Sequence, residues 1–114
     1  MAESNRHPDV ASELLRLGFK LISDSAYTFG FERRPGEIVY VKKTTKRSVV
    51  LDPRYFSDGE VIEGVAGYAY WNSNLHTFDK APRGGKSPEH YGIAFDIPTP
   101  GHVGFLADAL KRKV

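Results

Sequence analysis

Alternating aromatic and polar residues through the middle of the chain, with an apolar helical stripe near each end, predict an α+β fold. The expected architecture is a mostly antiparallel sheet of about five or six strands with one helix near each terminus. Tyr27, Phe29 and Phe31 alternate with Thr28, Gly30 and Glu32, the period-two pattern of a strand with one aromatic face. Val10, Leu14 and Leu17 near the start, and Val103, Leu106, Ala107 and Leu110 near the end, recur at helical spacing. A length of 114 residues suits one domain with a single core. Residues 1–8 are expected to be a flexible lead-in.

The first helix is predicted over Asp9 to Leu17. Asp9 can accept first-turn amides, and Gly18 offers a left-handed stop. Phe19 to Ser23 is a short strand candidate, followed by the strand through Tyr27, Phe29 and Phe31. Arg34-Pro35-Gly36-Glu37 reads as a turn, because proline presets its second position and glycine tolerates positive φ at its third. Ile38 to Lys43 should therefore return antiparallel. Ser48 to Leu51 is a fourth strand, closed by Asp52-Pro53. Arg54 to Gly64 reads as loop or a single helical turn, with Val61 and Ile62 as candidates for burial. Beyond it, Tyr68, Tyr70 and Asn72 point one way, and Ala69, Trp71 and Ser73 the other. Lys80 to Glu89 is loop by composition. Tyr91, Ile93, Phe95 and Ile97 form a final strand face, and Thr99-Pro100 carries the cap and first-turn residue types of a last helix.

Composition narrows the function classes. The chain is 40% hydrophobic and 26% charged, with no cysteine and a formal charge of +2. Disulfides and thiolate metal sites are excluded, and the cysteine-free sequence suits a reducing cytoplasm. MAESNRHPDV has no apolar core of a signal peptide, and no apolar run reaches membrane-spanning length. The expectation is a cytoplasmic protein with no membrane partner.

The motifs of common catalytic sites are missing or incomplete. Gly85-Lys86-Ser87 resembles the end of a phosphate-binding loop, but Lys80 stands where the first glycine belongs and Pro88 where the helix should start. There is no Gly-x-Ser-x-Gly elbow and no dinucleotide fingerprint. His76, Asp79 and His90 are nitrogen and oxygen donors without the paired spacing of a metal site. No metal, cofactor or catalytic residue is assigned. Two imidazoles beside a cation can cleave a phosphodiester without metal, which makes His76 and His90 an alternative acid–base pair.

The stretch from Tyr68 to Ile97 holds the densest donor chemistry. Asn72, Asn74, His76, Lys80, Arg83, Lys86 and His90 lie in or beside its loop, with Trp71 preceding it. Lys42, Lys43 and Arg47 surround a second turn. Lysine and arginine neutralise phosphates, asparagine bonds base edges and exposed aromatics stack on bases. If both turns lie at one end of the sheet they form a basic rim. The expected function is a small non-enzymatic binding module for nucleic acid or another anionic partner. A protein-interaction or homodimer surface built on Trp71 or the Tyr68/Tyr70 pair is the alternative, since a two-layer domain has one interior face to cover.

Glu37-Ile38-Val39-Tyr40-Val41, Val49-Val50-Leu51-Asp52-Pro53, His90-Tyr91-Gly92-Ile93 and the final amphipathic helix occur in this order. In these segments the chain resembles a family of short uncharacterised bacterial proteins typified by enterobacterial YgaC. The resemblance spans the chain from first helix to last and departs from the family pattern at Asp52, where the family has histidine. It implies a small bacterial cytoplasmic α+β protein and supplies no activity or catalytic residue.

Overall fold

Two unbroken apolar runs, Ile38-Val39-Tyr40-Val41 and Val49-Val50-Leu51, form the middle of the sheet. Runs without alternation belong to strands covered on both faces. The computed structural model describes residues 7–44, 46–85 and 87–114. Of the expected lead-in, residues 1–6 lie outside the described residues, while Pro8 already opens helix α1, Pro8–Arg16.

Strands β1 (Lys20–Asp24), β2 (Thr28–Glu32), β3 (Ile38–Lys42) and β4 (Ser48–Leu51) follow as an antiparallel meander. A small hairpin of β5 (Val61–Ile62) and β6 (Val65–Ala66) comes next. Then come β7 (Tyr68–Trp71), the two-residue β8 (Lys80–Ala81) and the long β9 (Glu89–Asp96). β9 inserts between β4 and β7, so the order across the sheet is β1-β2-β3-β4-β9-β7, with β8 also paired to β9. A 3-10 turn, Pro100–His102, leads into helix α2, Val103–Lys113. No helix among the described residues is long and apolar enough to cross a membrane.

The α+β expectation matches this architecture, with a helix near each terminus and a mostly antiparallel sheet. Gly18 has φ +97° and stops α1 as its position requires. At Gly36 φ is +91°, and the Glu37 amide donates to the Arg34 carbonyl at 2.8 Å, closing the β2–β3 turn. Two caps differ from expectation. His7 precedes α1, and Asp9 accepts only from the Val10 amide within the helix. Thr99 makes no side-chain cap, and its carbonyl instead accepts the His102 amide.

The main core lies between the helices and one face of the sheet. Phe31, Val39, Leu51 and Ile93 share one cross-strand row, and Val41, Val49 and Phe95 share the next. Val10 and Leu14 of α1 and Leu106 and Leu110 of α2 pack onto them. The 54–64 segment differs from expectation. Val61 is exposed on its hairpin, while Ile62 is only partly buried against the core. Phe56 is the residue that this segment buries, edge-on to Phe95. Asp52 is fully buried and holds that segment's entry: its carboxylate accepts the Arg54 amide and guanidinium, and its carbonyl accepts the amides of Tyr55 and Phe56. Asp52 thus has a structural job.

The opposite face of the sheet carries a second, smaller core. Tyr40, Val50 and Ala94 line that face, and Leu75 and Phe78 from the 72–79 loop close over them. Gly92 makes room for this cover, since a Cβ there would overlap Val50 and crowd the Phe78 ring. The expectation of a single interior face therefore fails at the centre of the sheet.

Candidate functional site

The 72–79 loop is held down by the very groups that looked available in the sequence. Asn72 donates through Nδ2 to the Tyr70 hydroxyl at 2.9 Å and accepts the Asn74 amide at 2.8 Å. Asn74 accepts the Tyr27 amide at 3.3 Å. The Tyr40 and Thr77 hydroxyls lie 2.7 Å apart, tying the loop to β3. His90 Nδ1 is 2.7 Å from the Phe78 carbonyl. His76 is exposed, and its ring stands edge-on to Tyr40. These side chains shape a lid over the second core rather than a pocket.

Trp71 is likewise engaged. Its ring stacks on Tyr91 with centroids 5.5 Å apart, its Nε1–H donates to the Ala81 carbonyl at 3.1 Å, and the Arg83 guanidinium lies 5.7 Å from its centroid. Lys80 and Arg83 are exposed. Lys86 lies outside the described residues.

The two basic turns do not meet. Ser48 pairs with Asp96 at one end of β9, so the 43–47 turn sits there. Lys80 and Ala81 pair with His90 and Glu89 at the other end. Eight residues of strand separate the two ends of β9, roughly 25 Å at ordinary strand rise. The structure brings Asn72, Asn74, Trp71, His90 and Arg83 into one architectural region; Lys42 borders it, its ammonium 4.1 Å from the ring of Tyr70, whose hydroxyl accepts from Asn72, while Lys43 and Arg47 turn to the other face of the sheet.

Within the second group the cations have different tasks. Arg47 donates twice to one Asp9 oxygen, at 2.7 and 3.0 Å, which holds the Asp9 carboxyl below its ordinary pKa and ties α1 to the sheet. Lys43 pairs with Asp24 and lies 4.3 Å from the centre of the Phe29 ring. Both are structural. Lys42 projects from the opposite face, beyond the edge of the 72–79 cover. Its ammonium lies 4.1 Å from the Tyr70 centroid and 5.4 Å from that of Tyr68, and donates to the Tyr68 hydroxyl at 3.2 Å.

This uncovered end of the sheet is a polar cleft of about 360 Å³ lined by Lys42, Thr44, Lys46, Tyr68 and Asp96. Cross-strand geometry assembles it: Lys42 follows Tyr40 on β3, Tyr68 pairs with Ala94, and Asp96 lies two residues beyond Ala94 on the same face of β9. The Tyr68 hydroxyl donates to Asp96 at 2.8 Å. Burial pushes the Tyr68 phenol above its ordinary pKa, and the Asp96 carboxylate adds to the push, so it remains a neutral donor. Ser48 lies buried beneath.

Lys46 is exposed at the rim. An ammonium pair, a threonine hydroxyl and tyrosine faces can hold an anionic group against an aromatic surface. Sequence alone pointed to Lys42 but missed Thr44, Tyr68 and Asp96 as its companions. The signal available was the alternation that puts Tyr68 and Tyr70 on one face. Among the described residues no cluster of three or more histidine, aspartate or glutamate side chains is arranged to hold a metal ion. In comparisons with known proteins, no family model, no curated sequence and no solved structure matches the chain.

Proposed function

We propose that the chain is a small non-enzymatic module that binds an anionic partner, nucleic acid by preference, in the cleft of Lys42, Thr44, Lys46, Tyr68 and Asp96. The observation that carries this reading is the Lys42 ammonium poised between two tyrosine rings in a cleft that the 72–79 lid leaves open. Single-stranded nucleic acid offers what these groups recognise: phosphates for the lysines, bases for the tyrosines, and sugar or base donors for Asp96. A bacterial cytoplasmic setting and kinship with the YgaC-type family belong to the same proposal. Their support is the cysteine-free sequence and the four shared segments.

The loop histidines support an enzyme less well. His90 is committed to the Phe78 carbonyl through Nδ1, and His76 is exposed with its ring edge-on to Tyr40.

Two lysines neutralising two phosphates of a single strand contribute a slope of about 1.4 in log K against log salt. Titration of a labelled single-stranded oligonucleotide across a salt series is expected to show weakening with salt. Joint substitution of Lys42→Gln and Lys46→Gln should flatten the slope by about 1.4, while Lys80→Gln with Arg83→Gln should leave it nearly unchanged. No binding to any oligonucleotide at low salt, or the opposite ranking of the two double variants, would sink the proposal.

A further inference from the structure

A carboxylate in an anion site repels its ligand unless that ligand also brings hydrogen-bond donors. Asp96 is such a carboxylate, in the cleft shared with Lys42, Thr44, Lys46 and Tyr68. Val41 pairs with Val49 and Ser48 with Asp96, so Lys42, Ser48 and Asp96 form one row across β3, β4 and β9. The small, buried serine is the floor of that row. Above it the Lys42 ammonium donates to the Tyr68 hydroxyl at 3.2 Å, and that hydroxyl donates to Asp96 Oδ1 at 2.8 Å. The tyrosine hydroxyl thus stands between cation and carboxylate. An ionised carboxylate only accepts and offers about four acceptor sites; Tyr68 takes one of them.

The place of Asp96 says where the ligand's donors must lie. It sits at the hydroxyl end of Tyr68, a residue 36% exposed. A base stacked on that ring carries its edge to the ring's rim, beside Asp96, while its phosphate stays with the lysines. The bases differ at that edge. Guanine presents two adjacent donors, N1–H and N2–H. Adenine and cytosine each present one amino donor beside a ring-nitrogen acceptor. Thymine and uracil present one N–H between two carbonyls, whose lone pairs oppose a carboxylate.

We propose that the cleft selects guanine within single-stranded nucleic acid, with Tyr68 as the stacking platform and Asp96 as the residue that reads the base. This rests on the nucleic-acid reading of the same cleft and adds a base preference to it. At about 360 Å³ the cleft lies at the small end of ligand sites and suits one nucleotide rather than a run of stacked bases.

Fluorescence anisotropy with short labelled oligothymidines tests the proposal, each strand carrying a single central guanine, adenine, cytosine or hypoxanthine. The guanine strand is expected to bind about tenfold more tightly than plain oligothymidine. Hypoxanthine, which lacks the N2 amino group, should fall between them. Asp96→Asn keeps an acceptor for the Tyr68 hydroxyl but removes the carboxylate, and should bring the guanine-to-thymine ratio close to one. Equal affinity for every strand, with a salt slope still set by Lys42 and Lys46, would overturn the guanine assignment and leave the anion-binding reading standing. So would a guanine preference that survives in Asp96→Asn, or hypoxanthine bound as tightly as guanine. Guanosine monophosphate competing as well as the guanine strand would overturn the assignment to a strand in favour of a free nucleotide. No binding to any strand would overturn both readings.

Discussion

Glu37→Gln is expected to destabilise the protein by about 2–3 kcal/mol at neutral pH, with the difference from wild type shrinking as pH falls below about 4.5. Glu37 is fully buried, and its carboxylate receives Arg34 Nη2 at 2.6 Å and Arg33 Nε at 2.9 Å. The Arg34 and Arg33 guanidiniums lower its pKa from 4.5 to about 2 against the opposing effect of burial. A pKa lowered by folding stabilises the native state above the unfolded value of 4.5. That contribution is lost as pH falls from 4.5 toward about 2. The full shift corresponds to about 3 kcal/mol, reduced because Arg34 is more than half exposed to screening solvent.

Arg33 makes the cluster more than a local pair, donating to the Leu17 and Ala107 carbonyls and lying over the Phe19 ring at 4.6 Å. The two helices and the β2–β3 turn therefore loosen together. Urea unfolding of wild type and variant between pH 7 and pH 2.5 measures this. A pH-independent difference would show that ion pairing is not the cause.

Phe78→Ala should cost about 3–5 kcal/mol, as much as the loss of an aromatic side chain from a main core. Phe78 is buried and stands edge-on to Tyr40 with centroids 5.0 Å apart. Its loss opens the second core and loosens the lid that His90 and Thr77 fasten. Gly92→Ala attacks the same core from the strand side by forcing a methyl against Val50 and the Leu51 carbonyl, with an expected cost of about 1–3 kcal/mol. Arg83→Ala, on the exposed 80–85 segment, should change stability by less than about 0.5 kcal/mol. Equal, small effects at all three positions would mean that the 72–79 loop is a surface feature and not a core element.

The elements themselves were legible because their signals are local. Gly18 and Gly36 supply positive φ where the chain stops a helix and turns a hairpin, and Ser48–Leu51 follows from its composition alone. The lid was less legible. Leu75 and Phe78 are isolated apolar residues in a loop rich in polar ones, and only their three-residue spacing hints at a common side. The clearer signal lay in β3 and β4, whose unbroken apolar runs already called for cover on both faces.

The site suffered from the same limit. Asn72, Asn74 and His90 advertise donors and acceptors that the fold spends on fastening that lid. The partners of Arg47 and Lys43, namely Asp9 and Asp24, lie 38 and 19 residues away. Tyr68 is 26 residues from Lys42. No pattern along the chain shows which cations such distant carboxylates neutralise, and that sorting leaves Lys42 at the cleft.

Backbone amide mapping by ¹⁵N NMR during titration with a short single-stranded oligonucleotide tests the binding surface most directly. The expected result is a set of shifts centred on Lys42, Thr44, Lys46, Tyr68 and Asp96 that reverses as salt is added. Shifts centred instead on Lys80, Arg83 and His90, or none at either end of β9, would contradict it.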